Sequence, residues 1–342
     1  MTRSSLRGRR SVAAAAAVLL LAAVLAACGT KHEQTTTSGA PRHLDLVLDY
    51  FPNADHAGIY AAQATGAFEE AGLDVRIRTP SDPAAPLKLV AAGRADIAIS
   101  YEPELLLARD KGLRVAAVGA LVQKPLTSIM SLNGKVREPK DLAGKTVGTA
   151  GIPYQSAYLK TIATKAGVDP ASIKEVNVGF NLVQAMLSKK VDATLGAFWN
   201  YEGVQLRREH KHPSIIRMEQ AGVPTYEELV FVASQETLRD RGDLVRRFVQ
   251  AVARGAKALK TDPTAGVDAL LKANPDLDRG LQLASVKATM PVFFPDDPRA
   301  PWGWMDPTAW RDYGRWMVDN GLLKQPPTPT ALTNEFLPGR GI

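Results

Sequence analysis

From residue 44 onward the chain alternates strand-like and helix-like runs, and this alternation limits the possible folds more than any other feature. Short, mostly apolar strand-like runs occupy residues 44–48, 75–78, 96–100, 146–149, 175–178 and 192–197. Helix-like runs separate several of them, for example at 55–64, 86–92 and 182–189. Strands that alternate with helices in this way form parallel sheets with crossover helices. The sequence therefore predicts an α/β fold.

The chain also repeats a short pattern. Residues 89–99 and 185–195 each begin with an apolar helix, turn at a Gly or Lys corner and enter a buried strand at an Asp. Both strands run into a Tyr-Glu pair, Tyr101-Glu102 in the first copy and Tyr201-Glu202 in the second. This recurrence predicts two similar α/β lobes. Ligands of open α/β sheets bind beyond the carboxyl ends of the strands, so we expect a cleft between the lobes.

Residues 1–28 have the pattern of a bacterial lipoprotein signal peptide. Four arginines precede an apolar run at 12–27 that is short for a bilayer span, and small residues lead to Cys28, the only cysteine. We expect Cys28 to be lipidated, which makes the mature protein extracytoplasmic and anchored to the cell membrane. Residues 29–42, rich in Thr and Ser, are predicted to be a flexible linker. The alternative is an uncleaved membrane anchor.

Charge and cysteine content exclude several classes of function. The formal net charge of +7 falls to +3 after Cys28, because four arginines and no acidic residue precede that cysteine. No Lys-Arg block follows, so nothing in the sequence suggests nucleic-acid binding. Without a second cysteine the chain can form neither an internal disulfide nor a cysteine-based metal cluster.

The loops at the carboxyl ends of the predicted strands carry aromatic, amide and carboxyl side chains. The predicted ligand-binding residues are Tyr50, Asn53, His56, Tyr101, Glu102, Tyr154, Trp199, Asn200, Tyr201, Glu202 and Tyr226. Aromatic faces with a few such polar groups suit a flat heterocycle with hydrogen-bonding edges. No lysine or arginine accompanies them, which disfavours an inorganic anion. The neighbouring Phe51 and Phe198 are predicted to pack in the core.

Several of these segments resemble a known family. Residues 49–60 and 66–75 are similar to the opening of the thiamine-pyrimidine branch of the substrate-binding proteins of ABC importers, and further similar segments lie at 96–101, 199–203, 302–306 and 333–338. The resemblance implies a type II periplasmic-binding-protein fold, with a mixed, mostly parallel sheet flanked by helices in each lobe. It also implies the division of the chain, with lobe 1 at 43–128 and 229–342 and lobe 2 at 129–228.

The resemblance implies a ligand and partners as well. The expected ligand is a formylated aminomethylpyrimidine, a precursor of thiamine, whose ring would stack on Trp199 or a cleft tyrosine. Glu202 would accept a hydrogen bond from the exocyclic amine and, if protonated or water-bridged, would also serve a ring nitrogen. Asn53 and His56 would bind the ring edge or the formyl group. The expected partners are an ABC permease and its ATPase. The binding protein itself is expected to be a monomer without a cofactor.

An enzyme is the rival class of function, because the resemblance implies that the fungal thiamine-pyrimidine synthase shares this fold. That family, as the resemblance implies, consumes a histidine and pyridoxal phosphate and carries a cysteine-rich iron-binding stretch. This chain has Tyr-Glu-Glu-Leu-Val-Phe-Val at 226–232 where that stretch is expected, and its cleft loops lack a lysine for a Schiff base. We therefore expect a binding protein and no enzyme. Riboflavin or another small molecule, such as a sulfonate, stays open as the ligand.

Overall fold

The computed structural model describes residues 40–339, so the predicted signal peptide with Cys28, and the linker up to residue 39, lie outside the described residues. In this part of the chain ten strands form two five-stranded sheets. The strands are β1 (Arg42–Val47), β2 (Leu73–Arg78), β3 (Ile97–Ser100), β4 (Val115–Val122), β5 (Thr127–Ser131), β6 (Thr146–Thr149), β7 (Lys174–Asn177), β8 (Ala193–Phe198), β9 (Ser214–Arg217) and β10 (Leu229–Ser234).

Eleven α-helices accompany these strands within the described range. They are α1 (Ala57–Ala64), α2 (Ala67–Glu70), α3 (Pro86–Ala91), α4 (Glu102–Asp110), α5 (Pro153–Lys165), α6 (Leu182–Leu187), α7 (Glu202–Arg208), α8 (Gln235–Thr261), α9 (Pro263–Ala273), α10 (Arg279–Thr289) and α11 (Pro307–Asp319). None of them combines the length and the apolar character needed to cross a membrane.

The two sheets share one strand arrangement. The first has the order β2-β1-β3-β10-β4 and the second β7-β6-β8-β5-β9. The first three strands of each order are parallel, and the fourth, β10 or β5, runs antiparallel to both neighbours. This arrangement confirms the predicted α/β architecture of two lobes with mixed, mostly parallel sheets.

The chain passes between the two sheets twice. It leaves the first sheet after β4, enters the second at β5, and returns between β9 and β10. The lobe boundaries given above, at residues 128 and 228, stay a prediction.

Helices cover the central strands of the first sheet. Every residue of β3, β4 and β10 is buried, as expected of near-continuous apolar strands between layers of helices. Helix α8 packs against this sheet and against α1. Gly255 permits the close approach of the two helices, because a Cβ atom at this position would lie 2.1 Å from the carbonyl oxygen of Gly58.

The carboxyl ends of the parallel strands lead directly into loops and helix starts. Residues 49–56 follow β1, and Tyr101 follows β3 as the residue that precedes α4. In the second sheet Pro153 begins α5 after β6, at a position where the missing N–H of proline is not needed. These segments supply the side chains of the cleft.

Candidate functional site

A narrow cavity lies at the carboxyl ends of both sheets. Its lining comprises Asp49, Tyr50, Asn53, Pro83 and Tyr101 from the first half and Ala150, Ile152, Gln155, Leu182, Gly196, Phe198, Tyr201 and Glu202 from the second. The volume of the cavity is about 20 Å³, which is space for about one water molecule. A ring-shaped ligand therefore does not fit the cavity in this form.

Asp49 is the carboxyl group at the end of the first strand, and it is fixed by two neighbours. His56 Nδ1 accepts a hydrogen bond from the Asn53 N–H at 3.2 Å, so Nε2 carries the ring proton and donates to Asp49 Oδ1 at 2.9 Å. The Tyr101 hydroxyl donates to the other oxygen, Oδ2, at 3.0 Å. His56 is completely buried, and both of its nitrogens are engaged, so it orients Asp49 from outside the cavity.

Tyr50 connects the two halves at the edge of the cavity. Its hydroxyl donates to the carbonyl oxygen of Phe180 at 2.6 Å, and the two rings meet edge to face with centroids 4.8 Å apart. Phe51 also packs on the Phe180 ring, at 4.5 Å. The prediction of core packing for Phe51 is wrong, because 49% of its surface is exposed. These three aromatic residues bridge the mouth of the cleft.

Glu202 supplies a buried carboxyl group to the opposite wall. It is the first residue of α7, and its Oε2 accepts a hydrogen bond from the Phe198 N–H at 2.7 Å. Burial raises the pKa of Glu202 to about 7, although the backbone N–H groups act in the opposite direction. The carboxyl group therefore changes its charge near neutral pH.

Gln155 and Gly196 form the floor on the side of the second sheet. Gln155 Oε1 accepts from the Ala150 N–H at 2.8 Å, which directs the amide along the strand ends. Gly196 has φ +126°, and a Cβ atom there would lie 2.5 Å from Gln155 Nε2. Only glycine both adopts this positive φ without strain and lacks the Cβ atom that would clash with Gln155. The set of predicted ligand-binding residues includes neither Gln155 nor Asp49.

Five predicted ligand-binding residues line the cavity, namely Tyr50, Asn53, Tyr101, Tyr201 and Glu202. The amide of Asn53 is used locally, because its Oδ1 accepts from the Asp55 N–H at 2.8 Å and its Nδ2 donates to the Phe51 carbonyl oxygen at 3.0 Å. The Tyr201 hydroxyl accepts from Gln282 Nε2 at 3.1 Å.

The other six predicted residues lie outside the lining: His56, Glu102, Tyr154, Trp199, Asn200 and Tyr226. Trp199 Nε1 donates to the Pro125 carbonyl oxygen at 2.9 Å, and the Arg217 guanidinium stacks 4.0 Å from its ring. The buried Tyr154 hydroxyl lies 3.2 Å from Thr127 Oγ1. In contrast, Phe198 packs against the hydrophobic core, as predicted, and also lines the cavity.

Glu102, Tyr226 and Asn200 belong to buried polar contacts between elements. Glu102 Oε2 accepts from the Glu227 N–H at 2.7 Å, and burial raises the pKa of Glu102 to about 8. The Tyr226 hydroxyl donates to Glu228 Oε2 at 3.2 Å. Asn200 Nδ2 donates to Asp55 Oδ1, on the turn after β1, at 2.7 Å. These residues join the elements that surround the cleft.

The cavity is aromatic and acidic. Four of its lining side chains are aromatic, Asp49 and Glu202 are its carboxyl groups, and the described lining contains no lysine, arginine or histidine. Such a surface can stack a flat ring and accept hydrogen bonds from amino groups. It offers no counter-charge to an anion.

The family comparison covers most of the chain. A family model described as "NMT1/THI5 like" matches residues 53–266. The formylaminopyrimidine-binding protein of Halalkalibacterium halodurans is 33% identical over 86% of this chain and 91% of its own length. A putative thiamine biosynthesis protein of Haemophilus influenzae is also 33% identical, over 84% of this chain and 90% of its own. A 4-amino-5-hydroxymethyl-2-methylpyrimidine phosphate synthase of Legionella pneumophila is 27% identical over 75% and 81%.

Solved structures share the fold at low sequence identity. A ligand-binding component of an ABC-type import system from Staphylococcus aureus has a TM-score of 0.65 at 13% identity and covers 86% of this chain and 97% of its own. The alkanesulfonate-binding protein SsuA of Xanthomonas axonopodis pv. citri has a TM-score of 0.63 at 16% identity, with 87% and 100% covered. These similarities identify the periplasmic-binding-protein fold.

Proposed function

Since the chain belongs to the NMT1/THI5-like family, we propose that it is the extracytoplasmic solute-binding protein of an ABC importer and that it binds an aminopyrimidine precursor of thiamine. The ligand class is that of formylaminopyrimidine or hydroxymethylpyrimidine. The observation that carries the proposal is the buried Glu202 carboxyl in an aromatic cavity whose described lining has no cationic side chain.

The chemistry of an aminopyrimidine matches this lining. Its exocyclic amine is a donor, and Glu202 is a buried acceptor whose Oε2 is already held by the Phe198 N–H. We assign the second oxygen, Oε1, to the ligand amine. The ring would stack on Tyr50 or Tyr201, since tyrosine faces attract flat, electron-poor rings. Asp49, held by His56 and Tyr101, is a second acceptor for ligand N–H groups.

A sulfonate fits this cavity poorly. A sulfonate group carries a full negative charge, and a buried anion requires cationic or multiple N–H donors. The two carboxyl groups of the lining, Asp49 and Glu202, would repel it. Riboflavin has a larger ring system than a pyrimidine and needs a larger aromatic slot.

A binding role is also favoured over catalysis. The relatives at 33% identity are named a binding protein and a putative thiamine biosynthesis protein, whereas the synthase that is compared above is 27% identical. The lining holds no lysine for a pyridoxal Schiff base, and the sequence has no cysteine beyond Cys28.

We propose that the protein works as a monomer, held at the membrane by a lipid on Cys28, and delivers its ligand to a permease driven by an ATPase.

Ligand binding would act by closing the cleft. The cavity of about 20 Å³ cannot admit a ring while Tyr50 contacts Phe180, so entry requires an open form. Contacts from the ligand to both halves then favour the closed form.

Thermal-shift titration tests the ligand class. The protein is melted with formylaminopyrimidine, hydroxymethylpyrimidine, thiamine, riboflavin or an alkanesulfonate, because a ligand that binds only the folded form raises Tm. At 100 times Kd, the added stability is about 2.7 kcal/mol. We expect a pyrimidine to raise Tm and the Glu202→Ala variant to lose that shift. A shift with riboflavin or the sulfonate, and none with the pyrimidines, contradicts the proposed ligand.

A further inference from the structure

A buried polar cluster joins the two halves beside the cavity. Asn200 Nδ2 donates to Asp55 Oδ1 at 2.7 Å and to Thr289 Oγ1 at 2.6 Å. The Thr289 hydroxyl donates to the Ser285 carbonyl oxygen at 2.8 Å, and its oxygen lies 3.3 Å from Asp55 Oδ1. None of Asn200, Asp55 and Thr289 is more than 1% exposed. Because Asp55 follows β1 and Asn200 follows β8, the cluster connects a loop of one sheet with a loop of the other.

One oxygen of each group in this contact has no hydrogen-bond partner. Asp55 Oδ2 and Asn200 Oδ1 are both buried and both unpartnered within the described structure. If Asp55 is ionised, both atoms are acceptors, so neither can satisfy the other. Buried acceptors without a donor are strongly disfavoured. A single proton on Asp55 Oδ2 would make that oxygen a donor, and a face-to-face pairing with the Asn200 amide would direct it at Asn200 Oδ1.

We propose that Asp55 is a positioning residue of the cleft, which carries a proton on Oδ2 and forms a two-hydrogen-bond carboxylic acid–amide pair with Asn200. In this pair Nδ2–H of Asn200 donates to Asp55 Oδ1, and Oδ2–H of Asp55 donates to Asn200 Oδ1. The hydrogen bond that Asp55 Oδ1 accepts from Asn200 Nδ2 identifies Oδ1 as the carbonyl-type oxygen. The pair holds the Tyr201–Glu202 segment, which directly follows Asn200, against the Asn53–His56 turn.

The surroundings of Asp55 favour the neutral acid. The ionisable groups that face it are His56 on its own turn, Asp49 after β1, and Tyr201 and Glu202 on the opposing loop. The adjoining helices contribute the buried Tyr60 of α1 and, at exposed positions of α9 and α10, Asp268, Lys272, Arg279 and Lys287. Burial raises the pKa of Asp55 from 3.8 to about 6. A hydrogen bond that only the protonated form can make acts in the same direction.

The direction of the pH dependence follows from this raised pKa. The folded protein binds the Asp55 proton more tightly than the unfolded chain, whose pKa is 3.8. Stability from the pair is therefore fully present below about pH 4 and is lost as pH rises through about 6. An asparagine at position 55 keeps both hydrogen bonds of the pair, because its Nδ2 donates to Asn200 Oδ1, and it does not ionise.

The test compares melting temperatures of the ligand-free wild type, Asp55→Asn and Asp55→Leu at pH values from 4.5 to 8. The difference between two variants at one pH cancels the titration of the other buried carboxyl groups. We expect the Tm of Asp55→Asn to increase relative to that of the wild type as pH rises to about 6.5, by about 4 °C in total. Above this pH the difference in Tm should stay constant. Asp55→Leu, which can form neither hydrogen bond, should melt below both at every pH.

Two results would overturn the proposal. One is a Tm of Asp55→Asn below that of the wild type by the same amount at every pH, which would show that the ionised carboxylate is required, for example to hold a cation. The other is a constant advantage of Asp55→Asn with no pH dependence. Because Asp55→Leu can fail to fold, the decisive pair is wild type and Asp55→Asn. No ligand is present, so the outcome is independent of the proposed pyrimidine.

Discussion

Replacing Glu202 by glutamine changes one atom of the proposed ligand contact. Glu202 Oε2 accepts the Phe198 N–H at 2.7 Å, so the oxygen of a glutamine would take this place and its NH₂ group would face the ligand amine. The glutamine NH₂ group and the ligand amine are both hydrogen-bond donors, so the hydrogen bond between them is lost. The loss is that of a hydrogen bond to a charged acceptor, about 1.5–3 kcal/mol, which corresponds to roughly 10- to 150-fold in Kd.

The same assignment predicts a pH dependence of affinity. The ligand amine requires ionised Glu202, whose pKa in the ligand-free protein is about 7. The complex therefore holds fewer protons at this site, and lowering the pH opposes binding. Isothermal titration with formylaminopyrimidine should show the Kd of the wild type rising by about fivefold between pH 7 and pH 6. Glu202→Gln should lack this contribution.

Protonation of the ligand itself changes the Kd of the wild type and of Glu202→Gln alike, so the difference between their pH dependences isolates the contribution of Glu202. Glu209→Gln is the matched control, because it makes the same substitution at an exposed position directly after the same helix, where Glu209 accepts a hydrogen bond from Gln205. The control should bind as tightly as the wild type. Equal affinity and an equal pH slope for wild type and Glu202→Gln would refute the assigned role of Glu202.

Three further substitutions test the site. Tyr50→Phe removes the hydroxyl that donates to the Phe180 carbonyl oxygen at 2.6 Å, so Kd from isothermal titration should rise roughly 2- to 12-fold. Gly196→Ala introduces a Cβ 2.5 Å from Gln155 Nε2 at a φ of +126°; thermal melting should show about 1–3 kcal/mol of lost stability, together with weaker binding. Trp199→Phe breaks a hydrogen bond outside the cavity, so melting should show about 1 kcal/mol of destabilisation and titration an unchanged Kd.

Local sequence signals predicted the parallel part of each sheet. The strand expected at 96–100 is β3, Ile97–Ser100, and the one expected at 192–197 is β8, Ala193–Phe198. An apolar run after a glycine or lysine corner is a local pattern, so a window of about ten residues contains it. The position of β10 between β3 and β4 could not be predicted in this way, because the sequence of a buried apolar strand does not indicate which sheet the strand joins.

The site was predictable in part for a similar reason. Tyr101 and Glu202 follow strands whose carboxyl ends meet at the cleft, and both line the cavity. Trp199 is close to Glu202 in sequence, but its indole turns to the Pro125 carbonyl oxygen, a partner 74 residues away. Gln155, and not its neighbour Tyr154, reaches the cavity because successive helix residues point about 100° apart. Such directions depend on distant partners that no local pattern contains.

The most direct test of the central claim is a crystal structure of the protein grown with excess formylaminopyrimidine. The account predicts the pyrimidine ring in the cavity between the two sheets, stacked on a tyrosine, with its exocyclic amine within hydrogen-bond distance of Glu202 Oε1. An empty cavity, or a pyrimidine bound elsewhere with Glu202 out of contact, would contradict it.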